Sequence, residues 1–385
     1  MFKLHFCSLV SILVVSGLAN SSPALIPSAP QLAASSYILV DADSGKVIVE
    51  SNASQRLPPA SLTKMMTGYI TSSEIARQTI SPEDMVPISV KAWQMSGSRM
   101  FIREGTNVPV RELLKGVIVQ SGNDASVALA EFIAGDEIAF SEIMNQQAQL
   151  LGMTQTDFKN STGWPAEGHL TTAKDLSILA TRLIADFPDH YTLYSQKEFT
   201  YNNITQLNRN GLLWRDSTVD GLKTGKTEEA GYCLVASAKK NGMRLISVVM
   251  GAKSERSREQ ETQKLLSYGF RYYETHTLYE IGQVVNSSQL WAGLEKNIDL
   301  VLEQDIILTI PRGERDLLEV SIDVDKEIVA PITAGQAYGV LNIKKDNELL
   351  VQSSIVAAKD IDSAGFFLRI WDFIILFFRG LLGLG

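Results

Sequence analysis

The stretch Pro58-Pro59-Ala60-Ser61-Leu62-Thr63-Lys64-Met65-Met66-Thr67 is where both fold and chemistry first become readable. It follows a turn-rich segment and opens a helix expected over Ser61 to Ala76. Ser61 and Lys64 stand three residues apart, which puts both side chains on one helix face, one turn from each other. A serine hydroxyl is a poor nucleophile until a base takes its proton. A lysine can be that base when burial or neighbouring cations lower its pKa. Taken alone, the same spacing describes a solvated helix start equally well.

Outward from this helix the chain alternates in a simple way. Before it, Tyr37 to Val40 and Lys46 to Val49 form strands around the turn Asp41-Ala42-Asp43-Ser44-Gly45. After it come helical stretches at Val110 to Gln120, Asp124 to Ala134, Ala139 to Leu151 and Thr172 to Asp186. Two strands follow, Tyr232 to Ala238 and Arg244 to Met250, joined through Lys239-Lys240-Asn241-Gly242. The Asn-Gly pair marks a hairpin because it accepts positive φ. A last helix is expected over Ser257 to Thr275. Strands on both sides of a helical middle imply an α+β domain, 36–276, with one antiparallel sheet and helices packed against it. From 277 to 360 the pattern changes to short strands, Ile306 to Ile310, Leu317 to Val324, Tyr338 to Lys344 and Leu349 to Val356. Pro and Gly turns between them imply a small β-sandwich.

Two further triplets bear on the chemistry. Ser121-Gly122-Asn123 precedes the helix beginning near Asp124 and by itself is a capping sequence. Lys223-Thr224-Gly225 comes just before the hairpin and by itself is a turn leading into a strand. Together with Ser61-Leu62-Thr63-Lys64, in this order, they make the S-x-x-K, S-x-N and K-T-G set of penicillin-recognising serine enzymes. The chain resembles the D-alanyl-D-alanine carboxypeptidases of the low-molecular-mass penicillin-binding protein type, from about Tyr37 to its end. Gln120-Ser121-Gly122-Asn123-Asp124-Ala125, Asn208-Arg209-Asn210-Gly211-Leu212-Leu213-Trp214 and Asp220-Gly221-Leu222-Lys223-Thr224-Gly225 carry the likeness beside the first stretch. The sandwich and the terminal amphipathic helix look like those of the same subgroup.

The resemblance implies removal of the terminal D-alanine from peptidoglycan stem peptides through an acyl-enzyme, with β-lactams trapped at the same serine. It implies Ser61 as nucleophile, Lys64 as its base, Ser121 as proton relay to the leaving amine and Asn123 as a ligand of the substrate amide. Lys223 would add positive potential, Thr224 and Arg258 would bind the terminal carboxylate, and the amides of Ser61 and Lys226 would form the oxyanion hole. Gly225 belongs to the same substrate-binding strand, and Arg209 is either a support for the site or a surface ion-pair partner. Close relatives often have histidine where this chain has Lys226. Lys64, Lys223 and Lys226 are expected to converge on one pocket and lower one another's pKa. A β-lactamase is the nearest rival, but its usual deacylating glutamate is replaced by Thr156, four residues before Asn160. D,D-endopeptidase action on cross-links is a milder variant of the same chemistry. A catalytically silent wall-binding protein is the rival from another class; it would show itself by loss of Ser61 or Lys64, and both are present.

Composition excludes other classes. The chain has 385 residues, 35 basic and 43 acidic, and a formal charge of −8 without like-charge blocks. A nucleic-acid partner needs a basic surface and is not expected. Residues 1–19 have a signal peptide's pattern: Lys3, an apolar stretch from Leu9 to Leu18, and small residues at Gly17 and Ala19. Cleavage as late as Ala34 would fit too, and 20–35 is rich in Ser, Pro and Ala like a linker. Cys7 would leave with the signal, so Cys233 has no disulfide partner and is expected as an inert buried thiol. His5, His169, His190 and His276 lack metal-ligand spacing, so neither metal nor cofactor is expected. From Phe366 to Leu384 there are fourteen apolar residues, with Gly365, Arg369, Asp372, Arg379, Gly380 and Gly383 on one narrow stripe. Its longest unbroken apolar run, Phe373 to Phe378, is far short of the ~20 residues that span a bilayer. An amphipathic helix, 363–385, lying in a membrane interface is expected, and with it an exported, periplasmic protein held on the inner membrane. The competing expectation is a helix docked on its own domain or on a partner.

Overall fold

The structure, a computed structural model, describes residues 26–382. The expected signal peptide, the first part of the linker and the last three residues lie outside them. Five strands make the first sheet: β1 (Ser36–Asp41), β2 (Val47–Ser51), β3 (Val219–Thr227), β4 (Gly231–Lys240) and β5 (Met243–Ala252). All pairings are antiparallel, in the order β2-β1-β5-β4-β3. The chain's early hairpin therefore docks beside its late one, and β3 is left at an edge.

Both faces of this sheet are covered, which explains strands that are apolar at successive positions rather than alternating. Ile38, Val40, Cys233, Val235, Ile246 and Val248 face a helical layer. Its helices are α1 (Lys64–Ala76), α2 (Val110–Lys115), α3 (Asn123–Ala134), α4 (Glu137–Leu151) and α5 (Ala173–Asp186). The intervening residues Tyr37, Leu39, Leu234, Leu245 and Val249 pack instead against Leu265 and Leu266 of α6 (Glu255–Tyr272). Helices α4 and α6 begin two residues before the expected positions because Asp136 and Ser254 cap them, accepting from Ile138 N and Ala139 N, and from Ser257 N. Helix α6 stops at Tyr272, short of the expected Thr275, since Tyr273 turns to extended backbone and starts a strand.

The second lobe consists of β6 (Tyr273–Tyr279), β7 (Val284–Trp291), β8 (Asn297–Leu302), β9 (Ile306–Pro311), β10 (Glu319–Val324), β11 (Ile328–Val329), β12 (Ala337–Lys345) and β13 (Glu348–Ala357). A six-stranded sheet runs β10-β12-β13-β8-β7-β11, and β6 pairs with β9 separately. Leu300, Leu341, Ile343 and Ile355 are at the centre of its core. Strands β7 and β8 are additions to the expected set; Asn286-Ser287-Ser288-Gln289 hides the apolar alternation of β7.

Two other segments differ from the sequence reading. Residues expected as a free linker are packed: Ala29, Leu32 and Ala34 lie on the α6 side of the sheet, and the Tyr268 hydroxyl donates to Pro27 O at 3.0 Å. The terminal helix α7 (Phe366–Leu381) is tied to β7 through its polar stripe. Ala292 N donates to Asp372 Oδ2 at 2.8 Å, and the Arg379 guanidinium lies 5.5 Å from the Trp291 ring centroid. Its apolar side chains point outward, with Trp371, Phe377 and Phe367 62 %, 68 % and 86 % exposed.

A polar knot joins the lobes. Asp41 is fully buried; it accepts from Ser44 N at 2.8 Å, Ser44 Oγ at 2.9 Å and Thr275 Oγ1 at 2.7 Å. Removing an acceptor that leaves several donors buried costs about 2–4 kcal/mol. Asp41→Ala is therefore expected to lower Tm by several degrees in a thermal melt. Thr275→Val removes one bond between the lobes and the contact to Thr309 but leaves the Ser44–Thr309 bond across the lobes, and is expected to lower it less than half as much.

Candidate active site

Ser61 sits in a single 3₁₀ turn, Ala60–Thr63, that runs directly into α1. The turn is held in an unusual shape: Ala60 has φ of 48°, a region that non-glycine residues seldom occupy. Two neighbours hold it there. Gly163, with φ of 81°, lies so close that a Cβ would collide with Ala60 O. Thr63 Oγ1 donates to Ala60 O at 2.9 Å and stands 2.9 Å from His169 Nε2. Lys159 N donates to His169 Nδ1, so Nε2 carries the proton and donates to Thr63. Burial lowers the pKa of His169 to about 4, which keeps this support neutral.

Lys64 is buried completely beside the nucleophile. Its Nζ stands 3.1 Å from Ser61 Oγ, 2.7 Å from Asn123 Oδ1 and 2.6 Å from Thr162 O. Desolvation lowers its pKa to about 7, with the Arg209 charge adding to the effect and Asp124 and Glu137 opposing it. A neutral amine has two N–H groups and one lone pair. Asn123 Oδ1 and Thr162 O are pure acceptors, so they take the two N–H groups. The lone pair then faces Ser61, whose hydroxyl becomes the donor. Burial thus favours the neutral amine, and two carbonyl oxygens aim its lone pair.

Ser121 ends a wider helical turn, Gly116–Gln120, in the left-handed conformation at φ of 65°. Gly122, not Ser121, occupies the position capping α3. The strained serine points its hydroxyl at Lys223, which donates to Ser121 Oγ at 2.8 Å and to Thr224 O at 3.0 Å. Desolvation, with Lys64, Arg209 and Arg258 nearby, holds the Lys223 pKa well below the ordinary lysine range. Asn123 binds two segments at once: besides Lys64, its Nδ2 donates to Ser96 O at 2.6 Å and its N to Ser98 O at 2.7 Å.

Lys223-Thr224-Gly225 is inside β3 rather than in a turn before it. The edge position lets the strand lie along the nucleophile's turn, and Gly225 makes the approach possible. A Cβ there would meet Pro59 O at 3.1 Å and both Ala60 Cβ and Leu62 Cγ at 3.2 Å. Its contribution is close packing, not a direct binding group.

A cavity of about 660 Å³ opens in front of Ser61, lined by Asn123, Gly97, Ser98, Trp164 and Lys226 among others. Lys226 is exposed at its rim, with Nζ 5.9 Å from the Tyr232 ring centroid. Of the three lysines expected to converge, Lys64 and Lys223 are buried together and Lys226 meets the cavity only at its rim. The outside cation acting on Lys64 and Lys223 is the exposed Arg209. Arg258 is buried over the same Tyr232 ring, ion-paired to Glu255 at 2.7 Å, and its Nε has no partner among the described residues. Neither Arg258 nor the buried Thr224 lines the cavity in front of Ser61. Cys233 is fully buried and its thiol pKa is pushed up to about 11, so it is unreactive.

The sequence motifs give no hint of the loop from Asn160 to Pro165. Asn160 Oδ1 accepts from the amides of Thr162, Gly163 and Trp164, and its Nδ2 donates to Trp164 O. The Asn-Ser-Thr-Gly run is turn chemistry, visible in the sequence, but nothing local says that the turn closes on Lys64. Thr156 bonds to Asp175 and Thr171, so Asn160 and Thr156 both serve structure. Among the described residues, no carboxylate is hydrogen-bonded to Ser61 or Lys64.

The family description D-alanyl-D-alanine carboxypeptidase matches residues 24–254, and penicillin-binding protein 5, C-terminal domain, matches 273–363. The chain is similar to the D-alanyl-D-alanine carboxypeptidase DacA of Escherichia coli (strain K12), 42% identical over 367 residues, covering 93% of this chain and 91% of that one. Penicillin-binding protein 5 from Haemophilus influenzae has a similar structure, with a TM-score of 0.83 and 39% identity over 88% of this chain and 100% of that one. Penicillin-binding protein D2 from Listeria monocytogenes, in its ampicillin-bound form, matches at a TM-score of 0.58 and 31% identity over 62% of this chain and 98% of that one.

If Ser61 is acylated with Lys64 as its base, the reaction needs Lys64 neutral. The second-order rate of labelling by a fluorescent penicillin is expected to fall about tenfold per pH unit below pH 7 and to level off above it. Removing a nearby cation raises an ammonium's pKa, so Arg209→Ala is expected to move this limb to higher pH. Lys226→Ala is expected to leave the limb in place.

Proposed function

The chain belongs to the D-alanyl-D-alanine carboxypeptidase family of penicillin-binding proteins and is a carboxypeptidase of that kind; we propose that Ser61 is its nucleophile and Lys64 the base. The observation that carries this assignment is the arrangement of Lys64: buried, with a pKa near 7, and with both N–H groups engaged by carbonyl oxygens.

The reaction follows from that geometry. As Ser61 Oγ bonds to the scissile carbonyl carbon, its proton passes to the Lys64 lone pair and the carbonyl oxygen becomes an oxyanion. Amides of Ser61 and Lys226 are the donors proposed for it. When the C–N bond breaks, the departing D-alanine amine takes a proton from Ser121, whose hydroxyl is replenished by Lys223; the proton that Lys64 took from Ser61 then passes to Lys223, which leaves Lys64 a neutral base for the second step. Asn123 has two amide hydrogens and uses one on Ser96 O, so the other can hold the donor's upstream amide carbonyl. Arg209 and Arg258 supply the positive charge toward which the terminal carboxylate is drawn, and the Thr224 hydroxyl is proposed as a hydrogen-bond donor to it. Water then attacks the ester, with Lys64 again accepting the proton. A β-lactam opens at the same serine, but its amine stays tethered to the acyl group, so the adduct persists.

The substrate proposed is the D-Ala-D-Ala end of peptidoglycan stem peptides. The lack of a carboxylate at Ser61 or Lys64 weighs against rapid deacylation of the β-lactamase kind. The location proposed is the outer face of the inner membrane, after export by the segment 1–19. Helix α7 supports this reading, since it spends its polar stripe on the β-lobe and presents its apolar residues outward. No helix among the described residues is long and apolar enough to cross a membrane. Six inserted side chains at ~1.5 kcal/mol each would already equal a single myristoyl chain.

Ser61→Ala is expected to abolish both penicillin labelling and D-alanine release from a D-Ala-D-Ala tripeptide. Intact-mass spectrometry of the wild type should place one adduct, on Ser61; an adduct elsewhere overturns the assignment. Deletion of the residues after Gly365 is expected to shift the protein from sedimenting vesicles of anionic lipid to the supernatant, with peptide hydrolysis within about twofold of wild type. Retention of the shortened chain on the vesicles counts against α7 as the anchor.

A further inference from the structure

Trp164 is a large aromatic residue that the fold holds rigidly and yet leaves 48 % exposed. Its backbone is fixed on both sides of the peptide unit: Trp164 N donates to Asn160 Oδ1 and Thr162 Oγ1 at 3.1 Å each, and Trp164 O accepts from Asn160 Nδ2 at 2.9 Å. The same loop supplies Thr162 O to Lys64, so the indole has a set position relative to the catalytic base. A Cβ on Gly97 would stand 3.3 Å from Trp164 Cζ3, which places the ring against the opposite loop. An exposed indole on a locked loop gains little from burial within the chain.

What the ring faces is the cavity. Trp164 and Pro165 line the 660 Å³ space in front of Ser61, and they also line a second cavity of about 490 Å³ beside it. Gly163 and Thr227 are shared between the two, so the spaces are neighbours with the indole as part of their common wall. Charge sets the direction in which an acyl donor lies across them. Lys223, Arg209 and Arg258 gather their charges near one another behind the cavity's lining, whereas Glu228 and Glu229 line the cavity together with Trp164 and the rim residue Lys226. A terminal carboxylate is drawn to the first and repelled by the second. The chain upstream of the scissile carbonyl must then run past Trp164.

We propose that Trp164 is a specificity-determining residue that stacks on the part of the acyl donor preceding the scissile bond, selecting donors with a planar or apolar group there. This deepens the proposed reaction and rests on Ser61 being its nucleophile. The occupant is the upstream portion of a peptide or, in a β-lactam, the acylamino side chain that takes the same place.

Two penicillins test it: benzylpenicillin, and one whose side chain is only a formamido group. Both keep the amide that Asn123 can bind; only the first has a ring to stack. Second-order acylation rates are measured for the wild type, Trp164→Ala and Trp164→Phe, with a thermal melt of each variant. Trp164→Ala is expected to slow benzylpenicillin about five- to tenfold, the size of one aromatic contact. The formamido compound should keep its wild-type rate, and Trp164→Phe should recover most of the loss. Equal slowing of both compounds, or no slowing of either, overturns the proposal. An adduct on Ser61 with the formamido compound in Trp164→Ala shows that the underlying reaction stands whichever way the selectivity falls. Should the alanine variant melt early, the ratio of the two rates in Trp164→Phe decides: near the wild-type ratio supports an aromatic contact, collapse to that of an unselective enzyme removes it.

Discussion

A lysine amine with no water around it organises this molecule. Outside a protein a lysine amine is charged at neutral pH and has no lone pair to offer; buried, the Lys64 pKa falls to about 7, so the neutral form becomes accessible there. Burial alone would leave a polar group poorly paired, at a cost of several kcal/mol. The fold meets that cost with two carbonyl oxygens, from Asn123 on α3 and from Thr162 in the loop 160–165. Those partners leave the lone pair only one direction, toward Ser61. Stability and reactivity are therefore served by the same three contacts.

The rest of the architecture can be understood as bringing distant segments to that amine. Helix α3 must start at Asn123, which forces Ser121 into a left-handed conformation at the end of the preceding turn. Strand β3 must lie against the nucleophile's turn, which requires a glycine at 225 and an edge position in the sheet. Asp124, next to Asn123, accepts from the amides of Met100, Phe101 and Ile102 and so fixes the loop that contains them. Strain at Ala60 and Ser121 marks the points where the chain bends away from its preferred shapes to meet these demands. That bending is kept by packing from several directions, since no local propensity favours it.

Much of this is legible in the sequence, and what is not has a physical reason. Period and turn chemistry are local, so the hairpin through Asn241-Gly242 and the helices α1, α3 and α5 are readable to within a few residues. The three motifs name Ser61, Lys64, Ser121, Asn123 and Lys223, and the structure brings these five side chains together. Position in space is the weak point. Lys226 follows the motif directly, yet strand alternation turns its side chain to the Tyr232 side and the rim, while Arg209, far away in sequence, delivers its charge to both lysines. Strand β3 itself reads as a turn because Gly221 and Gly225 look like breakers; in place they are sites of close approach, to Tyr191 and to the nucleophile's turn. Thr162 is invisible for another reason, since it acts through a backbone carbonyl that any residue would supply.

The terminal helix inverts the usual logic of an amphipathic segment. A helix that belongs to a soluble domain buries its apolar stripe and leaves its polar residues in water. Helix α7 does the opposite: Asp372 is bonded to the β7 edge at Ala292, Arg379 lies over Trp291, and the phenylalanines face away. Docking by polar groups is weak compared with burying the twelve apolar side chains of Phe366–Leu381, so it cannot be what drives the helix to form. What it does is fix direction. An apolar helix joined to its lobe by a flexible chain would attach the enzyme to a membrane at any tilt. On the proposed membrane attachment, one held at two points along its length, Asp372 and Arg379, would set the angle between the membrane plane and the β-lobe. The knot at Asp41 and Thr275 carries that angle across to the catalytic lobe. On the interfacial reading, the second lobe is then a rigid stand that presents the Ser61 cleft to its polymer in a constant orientation, which accounts for a domain that itself contributes no chemistry.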